Sequence, residues 1–244
     1  MGRVEDSIYL IGDPHFGHRN ILGYCERPFE DIDHMNEAIM DNINSVVKKT
    51  NTLYILGDFA LSKKENVIRW INEIKCENKS IVLGNHDEYS ARWYMENGFT
   101  WASRFPIIMN QFLILSHEPL FLVPNDVRVN LHGHVHASLP YRPSNLYFNL
   151  SADVINFVPV TLGRIMDEIK ADNRAMEDGR VPFERRGDGA CKRTSGNTPD
   201  IQKREKVLPA DKHTKPAVQK DTNGSRGGGR TRRRKQGVQE GVSG

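Results

Sequence analysis

Residues 52–58 read TLYILGD: four residues rich in bulky apolar and β-preferring side chains, then leucine, glycine and an aspartate. The run is too short for a helix and has the composition of a strand buried on both faces. Two other segments follow the same rule, SIYLIGD at 7–13 and SIVLGN at 80–85. Between the first two, Met35, Ile39, Ile43, Val46 and Val47 keep helical spacing, predicting an amphipathic helix over 33–49. Between the next two, Ser62 and Glu65 form a capping-box pattern ahead of Val67, Ile68, Ile71 and Ile74. The series β-α-β-α-β implies parallel strands with right-handed crossovers, an α/β fold.

Downstream, a helix through Trp93 and Tyr94 is expected to stop near Gly98, a C-cap residue. Strand-like runs then follow without long helices: 101–109, QFLILSH at 111–117, RVNLHGH at 128–134 and LYFNLS at 146–151. They predict a second, more antiparallel sheet facing the first. The 244 residues fit one ordinary domain plus extra sequence.

Charge marks where that extra sequence begins. Residues 1–171 carry 16 Lys+Arg and 21 Asp+Glu, net −5, and residues 172–244 carry 18 and 10, net +8, which together give the chain's +3. The second part has few large apolar side chains and includes GSRGGGRTRRRKQG, so it cannot bury enough surface to offset its ordering entropy. It is read as a basic, largely disordered tail, with AMEDGRVPFERRGDG (175–189) able to pack as an arm. Arginine-rich segments bind phosphate backbones by counterion release, though many only solubilise. No apolar run approaches the roughly 20 residues of a membrane span, and the N-terminus lacks the apolar stretch of a signal peptide. A cytoplasmic protein with no membrane partner is expected. Cys25, Cys76 and Cys191 form no CxxC pair, which indicates neither a disulfide framework nor a cysteine-based zinc site.

In open α/β sheets functional groups collect beyond the carboxyl ends of strands. Those positions hold Asp13 and His15, then Asp58, then Asn85, His86 and Asp87, then His117, then His132, His134 and His136. Taken singly each has an ordinary reading: Asp58 and Asn85 as helix caps, His117 as a half-buried histidine, the alternating histidines as a polar strand edge. Taken together they are a mixed nitrogen and oxygen donor set without thiolate. Such a set suits Mn, Fe, Zn or Co better than Ca or Mg, and it is too large for one tetrahedral ion.

The motifs GDPHFGH, GDF, GNHD, SHEP and GHVH occur in that order. They resemble the five motifs of the calcineurin-like metallophosphoesterase superfamily, and the likeness runs over residues 7–169. The ending NLSADVINFVPVTLGRI resembles the close of its small prokaryotic and phage-encoded members. The resemblance implies two packed β-sheets flanked by helices. It also implies a metallophosphoesterase domain over 1–171 with two divalent ions, Mn²⁺ first and Fe, Zn, Co or Ni as alternatives. Asp13, His15 and His136 would hold the first ion, Asn85, His117 and His134 the second, and Asp58 would bridge them. A metal-bridging hydroxide would be the nucleophile and His86 the general acid. The protein phosphatase branch has an aspartate three residues after the bridging one, where this chain has Leu61; orientation of His86 then falls to another group, and Asp87 is the candidate. The added capping domain of the longer nucleases and nucleotidases is not found.

For substrate contacts, RNILGYCERPF (19–29) follows the first motif and offers Arg19, Arg27 and aromatic rings, with His18 just before it. Equally it could be a surface loop pinned by Phe29. Arg92 and Arg128 are weaker cationic candidates. His132 is assigned to a supporting role and His34 to a solvated helix start. The expected activity is hydrolysis of phosphomonoesters or phosphodiesters, nucleotide-like or small. The alternatives are a nuclease on RNA or DNA using the basic tail, and a non-catalytic scaffold, against which the complete donor set argues.

Overall fold

The computed structural model describes residues 2–123 and 126–177. The basic tail therefore lies, from residue 178 on, outside the described residues. The apolar run of 52–58 becomes β2 (Thr52–Ile55), flanked in a five-stranded sheet by β1 (Ile8–Ile11) and β3 (Asn78–Val82). All three are parallel, with Ile11 opposite Ile55 and Ile55 opposite Ile81. The crossovers are α2 (Ile32–Val46) and α3 (Lys64–Glu73); a one-turn α1 (Ile21–Tyr24) precedes them. Met35, Ile39 and Ile43 of α2 and Val67, Trp70 and Ile71 of α3 bury against the sheet in one continuous core.

Two helix starts differ from expectation. α2 is capped by Asp31, whose side chain accepts from the His34 N–H, two residues before the predicted start. The capping box at Ser62 does not form: α3 begins a residue later, with Lys63 at its cap, and the Ser62 hydroxyl instead accepts from the Asn66 amide. α4 (Ala91–Glu96) is capped by Ser90 and ends before Gly98, whose φ of 117° only glycine adopts without strain.

The run 101–109 is not one strand. Its first part, β4 (Trp101–Ser103), joins the first sheet parallel to β3, and its second part, β5 (Ile107–Met109), starts the second sheet. That sheet continues with β6 (Leu113–Leu115), β7 (Val129–His132) and β8 (Tyr147–Asn149). Only β5 and β6 run antiparallel; β6, β7 and β8 are parallel, which corrects the antiparallel expectation. Among the described residues no α-helix makes these crossovers, so the sequence lacked the usual signal of a parallel pair. β9 (Val160–Thr161) closes the first sheet antiparallel to β1.

α5 (Leu162–Glu177) follows, burying Leu162, Ile165 and Ile169. It carries residues 172–177 into a helix, past the expected boundary at 172, and Asp172 forms an ion pair with Arg142. No described helix is long and apolar enough to cross a membrane.

Candidate metal centre

Each parallel strand ends in a turn that aims a side chain back across the strand ends. The turn after β1 is tied to the turn after β2 by Asp13 N–H to Gly57 carbonyl (3.1 Å) and His15 N–H to Asp58 carbonyl (2.9 Å). The turn after β7 is tied to that after β6 by Gly133 N–H to His117 carbonyl (2.9 Å). β1 and β8 meet where Gly12 donates to the Leu150 carbonyl at 2.7 Å, so the ends of the two sheets share one edge. The glycines of the turns make room for the ligands: a Cβ on Gly133 would stand 2.5 Å from Asp13 Oδ2.

All seven residues proposed as ligands come together. Asp13, His15 and His136 form one group, with donor atoms within 4.8 Å of one another, and Asp58, His117 and His134 form a second on the same criterion. Asn85 joins the second, its Oδ1 2.9 Å from His117 Nε2. Asp58 stands between the groups: its Oδ2 is 3.4 Å from His15 Nε2 and 3.5 Å from His117 Nε2. Its Oδ1 accepts the His86 backbone N–H at 2.8 Å.

Buried polar atoms without partners are costly, and two lie here: Asp13 Oδ1 and His15 Nε2. Burial raises the Asp13 carboxyl and lowers the His15 imidazole, so both incline to their neutral forms. A divalent cation would supply the missing partner for each, and neutral imidazole is its ligand form. Supporting bonds fit the same use. His117 Nδ1 lies 2.9 Å from the Leu56 carbonyl and His136 Nδ1 2.7 Å from Asp153 Oδ2, which turns each Nε2 towards the centre.

Asp153 was not among the sequence candidates, since only the fold brings it to His136. It also binds Arg27, and this overturns the reading of Arg27 as a substrate contact. The Arg27 fork meets both Asp153 oxygens at 2.9 Å, the Asp13 carbonyl at 2.8 Å and the Pro14 carbonyl at 3.0 Å. Its side chain is 0% exposed, leaving nothing to offer a substrate. The loop 19–29 is thus pinned by Arg27, and by Phe29 packed on Phe157.

Asp87 likewise does not serve His86. One carboxylate oxygen accepts from Phe59 N–H (3.0 Å) and the Tyr94 hydroxyl (3.0 Å), the other from Asp58 N–H (2.9 Å) and Gly84 N–H (2.8 Å). Burial nevertheless pushes its carboxyl up to about 6, against the pull of these donors. Its geometry braces the turns after β2 and β3. His86 is half-buried, its ring centroid 5.4 Å from those of His15 and His18. His18 Nδ1 lies 3.2 Å from His15 Nδ1, and the next residue, Arg19, is exposed. His132 is buried beneath the site with Nδ1 2.9 Å from the Gly133 carbonyl. Arg92 and Arg128 are engaged by Glu96 and Asp126.

Residues 7–120 match the family model of the calcineurin-like phosphoesterases. The Uncharacterized protein MJ1445 of Methanocaldococcus jannaschii is 33% identical over 172 residues, covering 67% of this chain and 92% of that protein. The Gene 66 protein of Mycobacterium phage L5 is 22% identical over 165 residues, covering 54% and 79%. In three dimensions the fold is similar to that of the protein of unknown function AQ665 from Aquifex aeolicus. That likeness has a TM-score of 0.51 and 24% identity, over 66% of this chain and 98% of the other.

Proposed function

The chain belongs to the calcineurin-like phosphoesterase family, and from this premise we propose that it hydrolyses phosphate esters at a binuclear centre of Asp13, His15, Asp58, Asn85, His117, His134 and His136. The observation that carries the reading is the pair of donor groups meeting at Asp58, with Asp13 Oδ1 and His15 Nε2 buried and unpartnered. Two divalent cations held there, Mn²⁺ foremost, would supply Lewis-acid activation of water near neutral pH and would neutralise phosphate charge. The protein's own part is to fix the donors. Asp58 keeps Oδ1 on the His86 N–H, which leaves Oδ2 for both halves of the centre. Asp87 holds the Asp58 and Phe59 N–H groups, setting where the bridging carboxylate starts.

His86 is the residue to protonate the departing oxygen. Its backbone is fixed on Asp58 while its half-buried ring faces His15 and His18. A general acid of this kind contributes typically about 10² to 10⁴-fold, most for a leaving group of high pKa.

The test is hydrolysis by metal-stripped protein resupplied with Mn²⁺, on an aryl phosphomonoester and an aryl phosphodiester, beside Asp58→Asn and His86→Gln. Metal-dependent turnover is expected, lost with Asp58→Asn. With His86→Gln it should fall further on an alkyl ester than on a nitrophenyl ester. Two ions bound without turnover on any ester would favour the scaffold reading. Failure to bind ions would overturn the centre itself.

A further inference from the structure

β3 and β4 run parallel with Val82 opposite Ser103, and the Leu83 N–H donates to the Ser103 carbonyl at 2.8 Å. The two chains therefore leave the sheet side by side. One continues into Gly84 and Asn85, a proposed ligand, and the other into Arg104. The Ser103 hydroxyl ties this exit by bonding to the Phe105 backbone at 2.9 and 3.0 Å. Beside them opens a cleft of about 360 Å³, lined by Asn85, His117, Arg104, Pro106 and Glu118 among others. Two residues of the second donor group thus share a cavity with an arginine.

An exposed arginine ordinarily just meets solvent or a nearby carboxylate. Most described arginines do the latter: Arg69, Arg92, Arg128, Arg142 and Arg164 each pair with an Asp or Glu. Among the described residues Arg104 has no such partner, although Glu118 lines the same cleft. Arg19, the exposed residue after His18, has none among the described residues either. A donor group that would hold a cation, sharing a cleft with an arginine that has no carboxylate partner among the described residues, suits a substrate that carries a second negative charge beside the bond to be cut. Arginine is suited to phosphate because its planar fork offers paired donors.

We propose that the cleft at Asn85 and His117 is a second phosphate subsite, in which Arg104 holds the phosphate next to the one being cleaved in an oligonucleotide. The proposal rests on the phosphoesterase reading and narrows it to strands with successive phosphates. Glu118 opposes the anion and sets how tightly it is held. Arg104 is a specificity residue: it acts on which ester is chosen.

The experiment uses the full chain with Mn²⁺ and measures kcat/KM on 5′-phosphorylated thymidine dinucleotide and on bis(4-nitrophenyl) phosphate. The first has a second phosphate beside its diester and the second has none. Arg104→Ala should lower the ratio of the two constants about tenfold, what the loss of one charge-assisted hydrogen bond produces, and Arg104→Lys should restore part of it. Binding is read separately by fluorescence anisotropy of fluorescein-labelled thymidine hexanucleotide in a His86→Gln background. Arg104→Ala should weaken it by a similar factor and Glu118→Gln should tighten it. An unchanged ratio and unchanged anisotropy would overturn the subsite while leaving the phosphoesterase reading in place. Arg104-dependent binding without hydrolysis of either ester would keep the subsite and overturn that reading.

Discussion

Five of the seven proposed ligands sit in backbone conformations that L-residues avoid: φ is 55° at Asp13, 55° at His15, 51° at Asp58, 71° at His134 and 46° at His136. Each left-handed non-glycine residue costs about 1–2 kcal/mol. The surrounding bonds must over-determine them. Arg27 is one such constraint, holding the Asp13 and Pro14 carbonyls while its partner Asp153 holds His136. Removing one member of a buried ion pair leaves a buried charge alone and typically costs about 3–5 kcal/mol. Arg27→Met should therefore lower the unfolding free energy by about that amount in urea titration. Stability unchanged but KM raised would restore Arg27 to the substrate. The convergence of the proposed ligands was legible because each follows a strand at fixed spacing. Arg27 was misread because its partner lies 126 positions away, and only the fold shows that the fork is already filled.

At the scale of elements, the strand-turn unit is what makes the ligands converge. β1, β2 and β3 were legible as short apolar runs ending in glycine and a polar residue, since buried parallel strands need that composition. β4 and β5 were not, because two three-residue strands with a turn between them read as one run, and neither was the parallel order of β6, β7 and β8. The glycines after the strands are part of the same unit. A Cβ at Gly133 would meet Asp13 Oδ2 at 2.5 Å and the Leu56 carbonyl at 3.0 Å, and the second neighbour is backbone that cannot swing away. Gly133→Ala should displace Asp13 and weaken Mn²⁺ binding about 10 to 100-fold by calorimetry, the usual effect of disturbing a ligand's support. Wild-type affinity in that variant would show that the turn is softer than its contacts imply.

At the scale of the whole molecule, one sheet supplies Asp13, His15, Asp58 and Asn85, and the other supplies His117 and leads into His134 and His136. Neither donor group exists unless the sheets are docked, so metal binding at the proposed centre would be coupled to folding. Two of the proposed ligand atoms, Asp13 Oδ1 and His15 Nε2, are buried without a partner, and a bound cation would give each one. A ligand binding only the folded state stabilises it by RT ln(1 + [L]/Kd), about 2.7 kcal/mol at a hundredfold excess over Kd. Added Mn²⁺ should raise the unfolding free energy by that increment, moving the urea midpoint up by the increment divided by the m-value, and a chelator should reverse it. Asp58 faces both groups, so Asp58→Ala should abolish most of the shift. His134→Ala, which touches one group, should leave the part due to the ion at Asp13, His15 and His136. Equal residual shifts in the two variants would mean that Asp58 does not join the groups, and that the centre is two independent sites.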